Sequence, residues 1–403
     1  MPFSFFLALR YLRGNRYTLG GTLTSVIAVA SVTVGVAALI ATLAVMTGFR
    51  EDIRRKILGA QPHLIVLSQT GSMPEGDYSS VFSGIKEVVA WSPFVMEQGL
   101  LKGASTTQGV IVKGVDPIRE SAVTGLSGHV RTGRWESLSS STPTVFLGTE
   151  LARTLNVSEG DSLLLVVPSP SASLFGGLPA IHRLSVGGTL ETGLYDYDAN
   201  LAVLSLPVAQ QAFDKPHSWS GIGVKVEDPD DPFGVSFRIQ KNLGSSAYVR
   251  SWLAMNRNLF AALKLEKVVM FLILALITLV AAFTILSNLI LVTAQKTREI
   301  GILKAMGATE GLIGRAFLIK GLLLGLFGTG SGTLLGLAIS WFLKTYQVVQ
   351  LPADIYYVER LPVTVVPSDV MMVAGAALGI VLIATLYPAR IASKLDALTA
   401  IRQ

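Results

Sequence analysis

The run Gly328-Thr329-Gly330-Ser331-Gly332 is the segment of this chain closest in type to a catalytic element. Glycine-rich loops cradle phosphate through backbone N–H groups, but the nucleotide-binding form ends in Gly-Lys-Ser/Thr, which these residues lack. They also fall inside a long apolar run, so ATP binding by that route is excluded. His63, His129, His182 and His217 lie far apart with no i,i+4 pairing, and solvated or capping roles are expected of them rather than metal binding. No Gly-x-Ser-x-Gly elbow occurs, and no serine has a histidine and an aspartate nearby in sequence to complete a triad. Cysteine is absent, which removes disulfides, thiolate zinc sites and thiol catalysis. The sequence predicts a chain with no catalytic residue, no metal and no cofactor of its own.

What remains is a question of elements. Charged residues make up 15% of the 403 residues and hydrophobic ones 50%, against about a quarter charged in an ordinary soluble domain. The net charge of +6 would fit a nucleic-acid partner, but the basic residues cluster beside long apolar runs, the membrane-flanking pattern. No nucleic acid is expected. Four runs suffice to cross a hydrocarbon core of about 30 Å, which takes roughly 20 helical residues. They are approximately Leu23–Met46, Val268–Val292, Ile319–Leu343 and Val370–Leu386, and Lys320, at one edge, is the ionisable residue they contain. The first exceeds the roughly 7–15 apolar residues of a secretory signal, so it is expected to be retained, with a short interfacial helix over Phe3–Tyr11 before it.

The expected order is an interfacial segment (1–22), a first span with its exit (23–49), a large domain (50–265) and a second span (266–292). A loop (293–318), a third span (319–343), a short loop (344–369), a fourth span (370–386) and a tail (387–403) follow. Lysine and arginine in short loops set the orientation. Lys296, Arg298, Lys304 and Arg315 lie between the second and third spans, and Arg390, Lys394 and Arg402 follow the fourth. The third-to-fourth connection has only Lys344 and Arg360 against Asp354, Glu359 and Asp369. Both termini are therefore expected in the cytoplasm. The cluster Arg50, Arg54, Arg55 and Lys56 then sits on the other side, but it is diluted by Glu51 and Asp52 and opens a long segment, where the rule is weak.

The large domain reads as α+β. Alternation and β-branched content predict strands at His63–Leu67, Gly109–Val115, Thr144–Leu147, Ser162–Val167, Arg183–Thr189 and Ile222–Val226, with a short helix over Glu150–Leu155. The first span is expected to continue as helix beyond the membrane, because Phe49, Ile53 and Ile57 share a face. Residues 168–179 read either as a surface loop or as a protruding arm. Pro168, Pro170 and Pro179 would stiffen its ends, with Leu174, Phe175 and Leu178 apolar at its tip.

Gly321, Gly325, Gly328, Gly332 and Gly336 draw one stripe along the third span; Gly375 and Gly379 repeat the theme in the fourth, and Ala28, Ser31, Gly35 and Ala38 in the first. In lipid, small residues let helix backbones approach closely, and Ser287 and Asn288 are expected to hydrogen-bond between helices. An ion-coupled transporter would place ionisable groups at mid-membrane. None is there, so energy for any transport must come from an ATPase outside the chain.

The segment Thr297-Arg298-Glu299-Ile300-Gly301-Ile302-Leu303-Lys304-Ala305-Met306-Gly307-Ala308-Thr309 resembles the cytoplasmic coupling segment of the FtsX/MacB-type ABC transporter permeases. The end of the chain, Leu386-Tyr387-Pro388-Ala389-Arg390 through Ala397-Leu398-Thr399-Ala400-Ile401-Arg402, is similar to theirs as well. Within that superfamily the chain resembles the LolC/LolE lipoprotein-releasing permeases over nearly its whole length. Ala8-Leu9-Arg10-Tyr11, Val45-Met46-Thr47-Gly48-Phe49 with Ile57-Leu58-Gly59, Gly114-Val115-Asp116-Pro117, Leu147-Gly148-Thr149-Glu150-Leu151-Ala152 and Leu265-Glu266-Lys267 carry the likeness, in this order.

The resemblance implies a MacB-type ABC permease architecture: an integral membrane protein of four transmembrane helices with a large α+β periplasmic domain, in the bacterial inner membrane. It implies a LolD-like ATPase dimer that binds ATP and magnesium, and a second permease subunit, either a LolE-like paralogue or a second copy. It also implies a triacylated lipoprotein substrate and a LolA-like periplasmic chaperone. ATPase coupling would fall to Thr297, Arg298, Glu299, Ile300, Gly301, Leu303, Lys304 and Gly307, with Arg298 and Glu299 making charged contacts and Ile300 and Leu303 an apolar face. Acyl chains would meet Val45, Met46, Phe49, Val269 and Met270, where soft methionine suits varied shapes. The chaperone would meet Pro170, Leu174, Phe175, Leu178 and Pro179. A MacB-type exporter, an FtsX-like transmitter of ATPase motion and a membrane-anchored binding domain are the alternatives.

Overall fold

The computed structural model describes residues 19–140, 142–167, 179–346 and 361–394. They form two compact units. One holds the chain up to Arg50 together with the stretches from Ala262 onward; the other is built on Glu51–Ala261. The segment Phe3–Tyr11 and the terminal run Ala397–Arg402 lie outside the described residues.

Among the described residues twelve strands build the extramembranous unit: β1 (Leu64–Ser68), β2 (Met73–Pro74), β3 (Val88–Lys102), β4 (Thr107–Val115), β5 (Val130–Gly133), β6 (Thr144–Gly148), β7 (Ser162–Val167), β8 (Ala180–Leu190), β9 (Leu201–Ser205), β10 (Ser218–Trp219), β11 (Gly221–Val226) and β12 (Ala247–Ser251). The longest, β3, organises the rest. Its first half pairs with β11 (Phe94 opposite Gly221), and its second half pairs on that edge with β7 (Leu100 opposite Val166). Its other edge pairs with β4 throughout. Because β4 continues to β9, β9 to β6, β6 to β8 and β8 to β7, six strands close a ring.

Inward parity around that ring selects Leu101, Val110, Val112, Val145, Leu147, Leu163, Leu165, Leu184, Val186, Ala202 and Leu204, and each is buried in one apolar core. Strand β7 shows the alternation of a strand with one half-exposed face. Strands β6 and β9 are buried at every position, as strands covered on both faces are. The β11–β1–β12 ladder extends the sheet from the ring, with Leu64 between Val224 and Ser251. The helix Pro232–Leu243 covers this extension with Val235 and Ile239. His63 departs from a solvated role: it is buried, with Nδ1 3.0 Å from the Val226 carbonyl and 3.2 Å from its N–H.

Among the described residues four helices are long and apolar enough to cross a membrane. They are Leu19–Ala60, Arg257–Gln295, Glu310–Tyr346 and Pro367–Ser393, referred to below as the first to fourth long helices. The first continues well beyond its apolar run, burying Ile53 and Ile57.

The glycines of the third long helix do not form a single contact surface. An added Cβ on Gly321 would stand 2.1 Å from Thr385, and one on Gly325 2.8 Å from Val381, both on the fourth long helix. Gly328, Gly332 and Gly336 instead meet Val32, Val36 and Ile40 of the first, at 2.8, 2.8 and 2.9 Å. The recurrence at three- and four-residue steps drifts around the helix, so one row of small residues serves two neighbours in turn. Thr33 and Ser331 pair their hydroxyls at 2.7 Å where the first and third helices meet.

Four expectations about packing fail. Gly375 and Gly379 have nothing within 4 Å of an added Cβ, so they are not contact points in this chain. Ala38 is exposed, and Ser31 donates to Ile27 of its own helix. Ser287 is exposed. Asn288 is buried, yet neither amide atom has a hydrogen-bond partner. Lys320, at the edge of its apolar run in sequence, is 0% exposed with Nζ unpartnered. A lysine stem is long and apolar enough to be enclosed by neighbouring helices wherever the bundle is deep.

Candidate coupling, membrane-exit and arm sites

The connection between the second and third long helices is itself helical, over Thr297–Ala305. Its end is set by Gly307 at φ +98°. Ala308 N–H donates to Leu303 O at 2.9 Å and Gly307 N–H to Lys304 O at 3.0 Å, the paired bonds of a left-handed glycine cap. Gly307 therefore acts through the turn it permits. Thr297 Oγ1 donates to Thr293 O at 3.0 Å, and Lys296 pairs with Glu299 at 2.5 Å and Lys304 with Glu310 at 3.5 Å.

The apolar face differs from the one expected. Ile300 is 0% exposed and Gly301 is buried, while Leu303 packs against the core of the helical bundle. These residues hold the short helix down and are not free to dock. Arg298 and Glu299 do face outward, and beside them stand Ile302 and Met306, 45% and 72% exposed. Ile302 and Met306 were missed because an apolar pair four apart reads as buried as readily as exposed. The signal available was that Ile302 and Met306 share a face with Arg298 and Glu299 at helical spacing.

At the far end of the first long helix, Val45, Met46 and Phe49 are half-buried. Between them Gly48 lies under the extended segment 361–366. An added Cβ would stand 2.3 Å from Pro362 O and 2.9 Å from Thr364 N. Thr364 N–H donates to Ala44 O at 2.9 Å, and Thr47 Oγ1 to Asp369 at 3.4 Å. The Thr47-Gly48 pair is thus explained by a crossing strap. On the second long helix Val269 is exposed and Met270 packs against the bundle core. The two adjacent residues point different ways and do not line one surface together.

Pro170, Leu174, Phe175 and Leu178 lie outside the described residues, and Pro179 is exposed where β8 begins. Strands β7 and β8, on either side of those residues in sequence, pair antiparallel with Val167 opposite Ala180. Register places Leu100, Val166 and Ile181 side by side on one face of β3, β7 and β8. Leu100 and Ile181 are 43% and 59% exposed, an apolar row across three strands that sequence alternation alone could not align. Among the described residues no cluster of His, Asp or Glu could hold a metal ion.

Two family profiles divide the chain: a MacB-like periplasmic core domain over residues 25–242 and an FtsX-like permease C-terminal region over 271–397. The lipoprotein-releasing system transmembrane protein LolC of Xylella fastidiosa is 31% identical over 410 residues, covering 100% of this chain and 99% of the relative. The chain belongs to the LolC/LolE family. LolE of Haemophilus influenzae is 28% identical and covers 97% of each chain. The periplasmic region of MacB from Actinobacillus actinomycetemcomitans is 9% identical over 52% of this chain and 97% of its own, with a TM-score of 0.34. LolC/LolE membership makes this a multi-pass membrane permease whose relatives match through both units, from the first long helix through the fourth.

Proposed function

We propose that the chain is the permease subunit of an ATP-driven complex that extracts outer-membrane-directed lipoproteins from the bacterial inner membrane and passes them to a soluble periplasmic chaperone. The observation that carries this reading is the end-to-end likeness to LolC, which spans the membrane helices and the large domain alike. A triacylated anchor needs such a machine, since each buried methylene contributes about 0.8 kcal/mol to holding it in the bilayer. Lys320 is the one ionisable residue of the four apolar runs and its Nζ has no partner with which to form a relay, so in this reading the energy comes from a separate LolD-like ATPase dimer binding ATP and magnesium.

Both termini and the helix Thr297–Ala305 face the cytoplasm in this reading, and the barrel domain faces the periplasm. Ile302 and Met306, flanked by Arg298 and Glu299, dock on the ATPase, while Ile300 and Leu303 pass its motion into the bundle they are packed in. Acyl chains enter beside Val45, Met46 and Phe49, against a second permease subunit that is a LolE-like paralogue or another copy. The arm over 168–179, rooted in the β7–β8 hairpin, meets a LolA-like chaperone.

The test is reconstitution with the ATPase and partner permease in proteoliposomes holding an acylated lipoprotein. ATP-dependent release into soluble chaperone, lost when Phe175 and Pro179 are replaced, is the expected result. ATP hydrolysis by an intact complex with no release would favour a MacB-type exporter instead.

A further inference from the structure

A strand at the margin of a sheet presents a row of unpaired N–H and C=O groups to any extended chain that meets it. Among the described residues the ten-stranded sheet ends at β12 on one side and at β5 on the other. Strand β5 is blunted by ordinary means: it is four residues long, its register with β8 shifts between Val130 and Thr132, and Arg131 is exposed. Strand β12 has fewer such features. Its five residues hold unbroken register with β1, they include no proline, and Tyr248 and Val249 near its centre favour extended chain. Its one charge, Arg250, lies over the Tyr248 ring at 5.5 Å.

Hydrogen bonds decide which groups of β12 face outward. Gln69 N–H donates to Ser246 O at 3.1 Å and Trp252 N–H to His63 O at 2.9 Å. In an antiparallel ladder the residues that bond a given neighbour alternate. Ser246, Tyr248, Arg250 and Trp252 are therefore turned to β1, and Ala247, Val249 and Ser251 away from it. The Gln240 side chain, from the helix Pro232–Leu243, occupies the middle of that outward row. Its Nε2 donates to Ala247 O at 2.6 Å, and its Oε1 accepts from Val249 N–H at 3.1 Å. Nε2 also donates to Gly244 O at 2.8 Å, and Gly244 N–H returns to Gln240 O at 3.0 Å. One carboxamide thus supplies the donor and the acceptor that a neighbouring strand would supply, and the turn at Gly244 holds it there.

We propose that Gln240 is a plug: its amide stands in for one peptide group of a neighbouring strand, and its withdrawal turns β12 into a docking edge for β12 of a second copy of this chain. A second copy fits because the outward groups sit on odd-numbered residues, so a two-fold antiparallel pairing centres on Val249. That register sets Tyr248 opposite Arg250 of the second copy and Ala247 opposite Ser251, with no like charges opposed. It repeats between copies the cation–ring contact that Arg250 and Tyr248 make within one. The inference is independent of what the permease transports.

The chain has no cysteine, so Arg250→Cys places a single spin label on β12. The full detergent-solubilised chain carrying that label is compared with the same chain bearing Gln240→Met, and separately Gln240→Leu. Both remove the amide and keep much of the side chain's bulk, and the one whose unfolding midpoint lies nearer the parent's is read. Two-fold pairing on Val249 brings the labelled positions of two copies about 8 Å apart at Cα, where the spins broaden each other's spectra. Broadening should appear in the Gln240 variant as concentration rises and vanish when labelled chain is diluted with unlabelled. It should vanish again when Val249→Pro removes the central outward N–H, a change an edge strand tolerates. Hydrogen exchange over Ala247–Ser251 should run about fivefold faster in the variant at low concentration, the effect of one lost hydrogen bond, and slow where broadening sets in. Absence of broadening at any concentration, whether or not exchange speeds up, would overturn the proposal and leave Gln240 a cap on its own strand. Broadening of equal strength with Gln240 in place would overturn it as well.

Discussion

Gly48 and Pro362 are in backbone contact: no side chain fits between the first long helix and the strap that crosses it, since a Cβ would lie 2.3 Å from the proline carbonyl oxygen. Helix propensity alone would favour alanine at position 48 by about 1 kcal/mol. Overpacking a site closed by backbone on both sides costs about 1–3 kcal/mol, and the clash decides the sign. Gly48→Ala should lower the thermal midpoint of the detergent-solubilised chain. Gly375→Ala, with open space around it, should leave it unchanged or raise it. Equal behaviour of the two variants would mean the strap yields freely.

Replacing Ile302 or Met306 with aspartate should abolish co-purification with the ATPase while leaving the unfolding midpoint of the permease near that of the parent, because both side chains face solvent. Ile300→Asp should instead destabilise the bundle, by about 3 kcal/mol or more, since it buries an unpaired charge at 0% exposure. Loss of ATPase association in both, with loss of stability in neither, would contradict the assignment of faces.

Lys320 is enclosed without a partner for Nζ, and enclosing an ammonium without a partner is costly. Methionine keeps the stem's volume and removes the amine. Lys320→Met should raise the unfolding midpoint. If lipoprotein release falls in the same variant, the amine is retained for a step in the cycle in which the bundle opens around it.

The burial of His63 holds its imidazole below the usual value of 6.5, chiefly by desolvation of the charged form. The unfolded chain then takes up a proton at higher pH than the folded one, so the stability of the domain is full above about pH 6.5 and declines as pH falls from there toward the folded value. Chaotrope unfolding followed by tryptophan fluorescence suits this domain, which holds Trp91, Trp135, Trp219 and Trp252. The midpoint should drop between pH 7.5 and pH 5, and the drop should shrink in His63→Gln. A slope unchanged by that substitution would assign the effect to other groups.

Much of this architecture is legible because lipid and water impose opposite demands. The four long apolar runs can be read from composition alone, and β7 alternates because one of its faces meets solvent. Strand β9 was not anticipated because Leu201–Ser205 is buried at every position, and a short continuous apolar run carries no period. Strand β3 was missed for another reason: Pro93 and Gly99 interrupt it, yet ladders on both edges hold it extended. For the candidate sites, the segment Thr297–Ala305 could be singled out from its sequence, but not which side of its helix is free. Ile300 and Ile302 are alike in chemistry, and only packing against the bundle separates 0% from 45% exposure.

The double partnership of β3 has a consequence for the order of synthesis. Its ladder with β4 joins neighbours in the chain, but Ala90–Phe94 must wait for Gly221–Val226, which is made long afterward. Until then a hydrophobic strand carries an open edge, the kind of template that invites pairing with another nascent chain. Completion of the β11–β1–β12 extension therefore falls near the end of the domain's production, after the ring's last strand, β9, has been made. Non-local pairing of this sort is intrinsically slow, so the nascent domain would need shielding from its neighbours for longer than a helical domain of equal size.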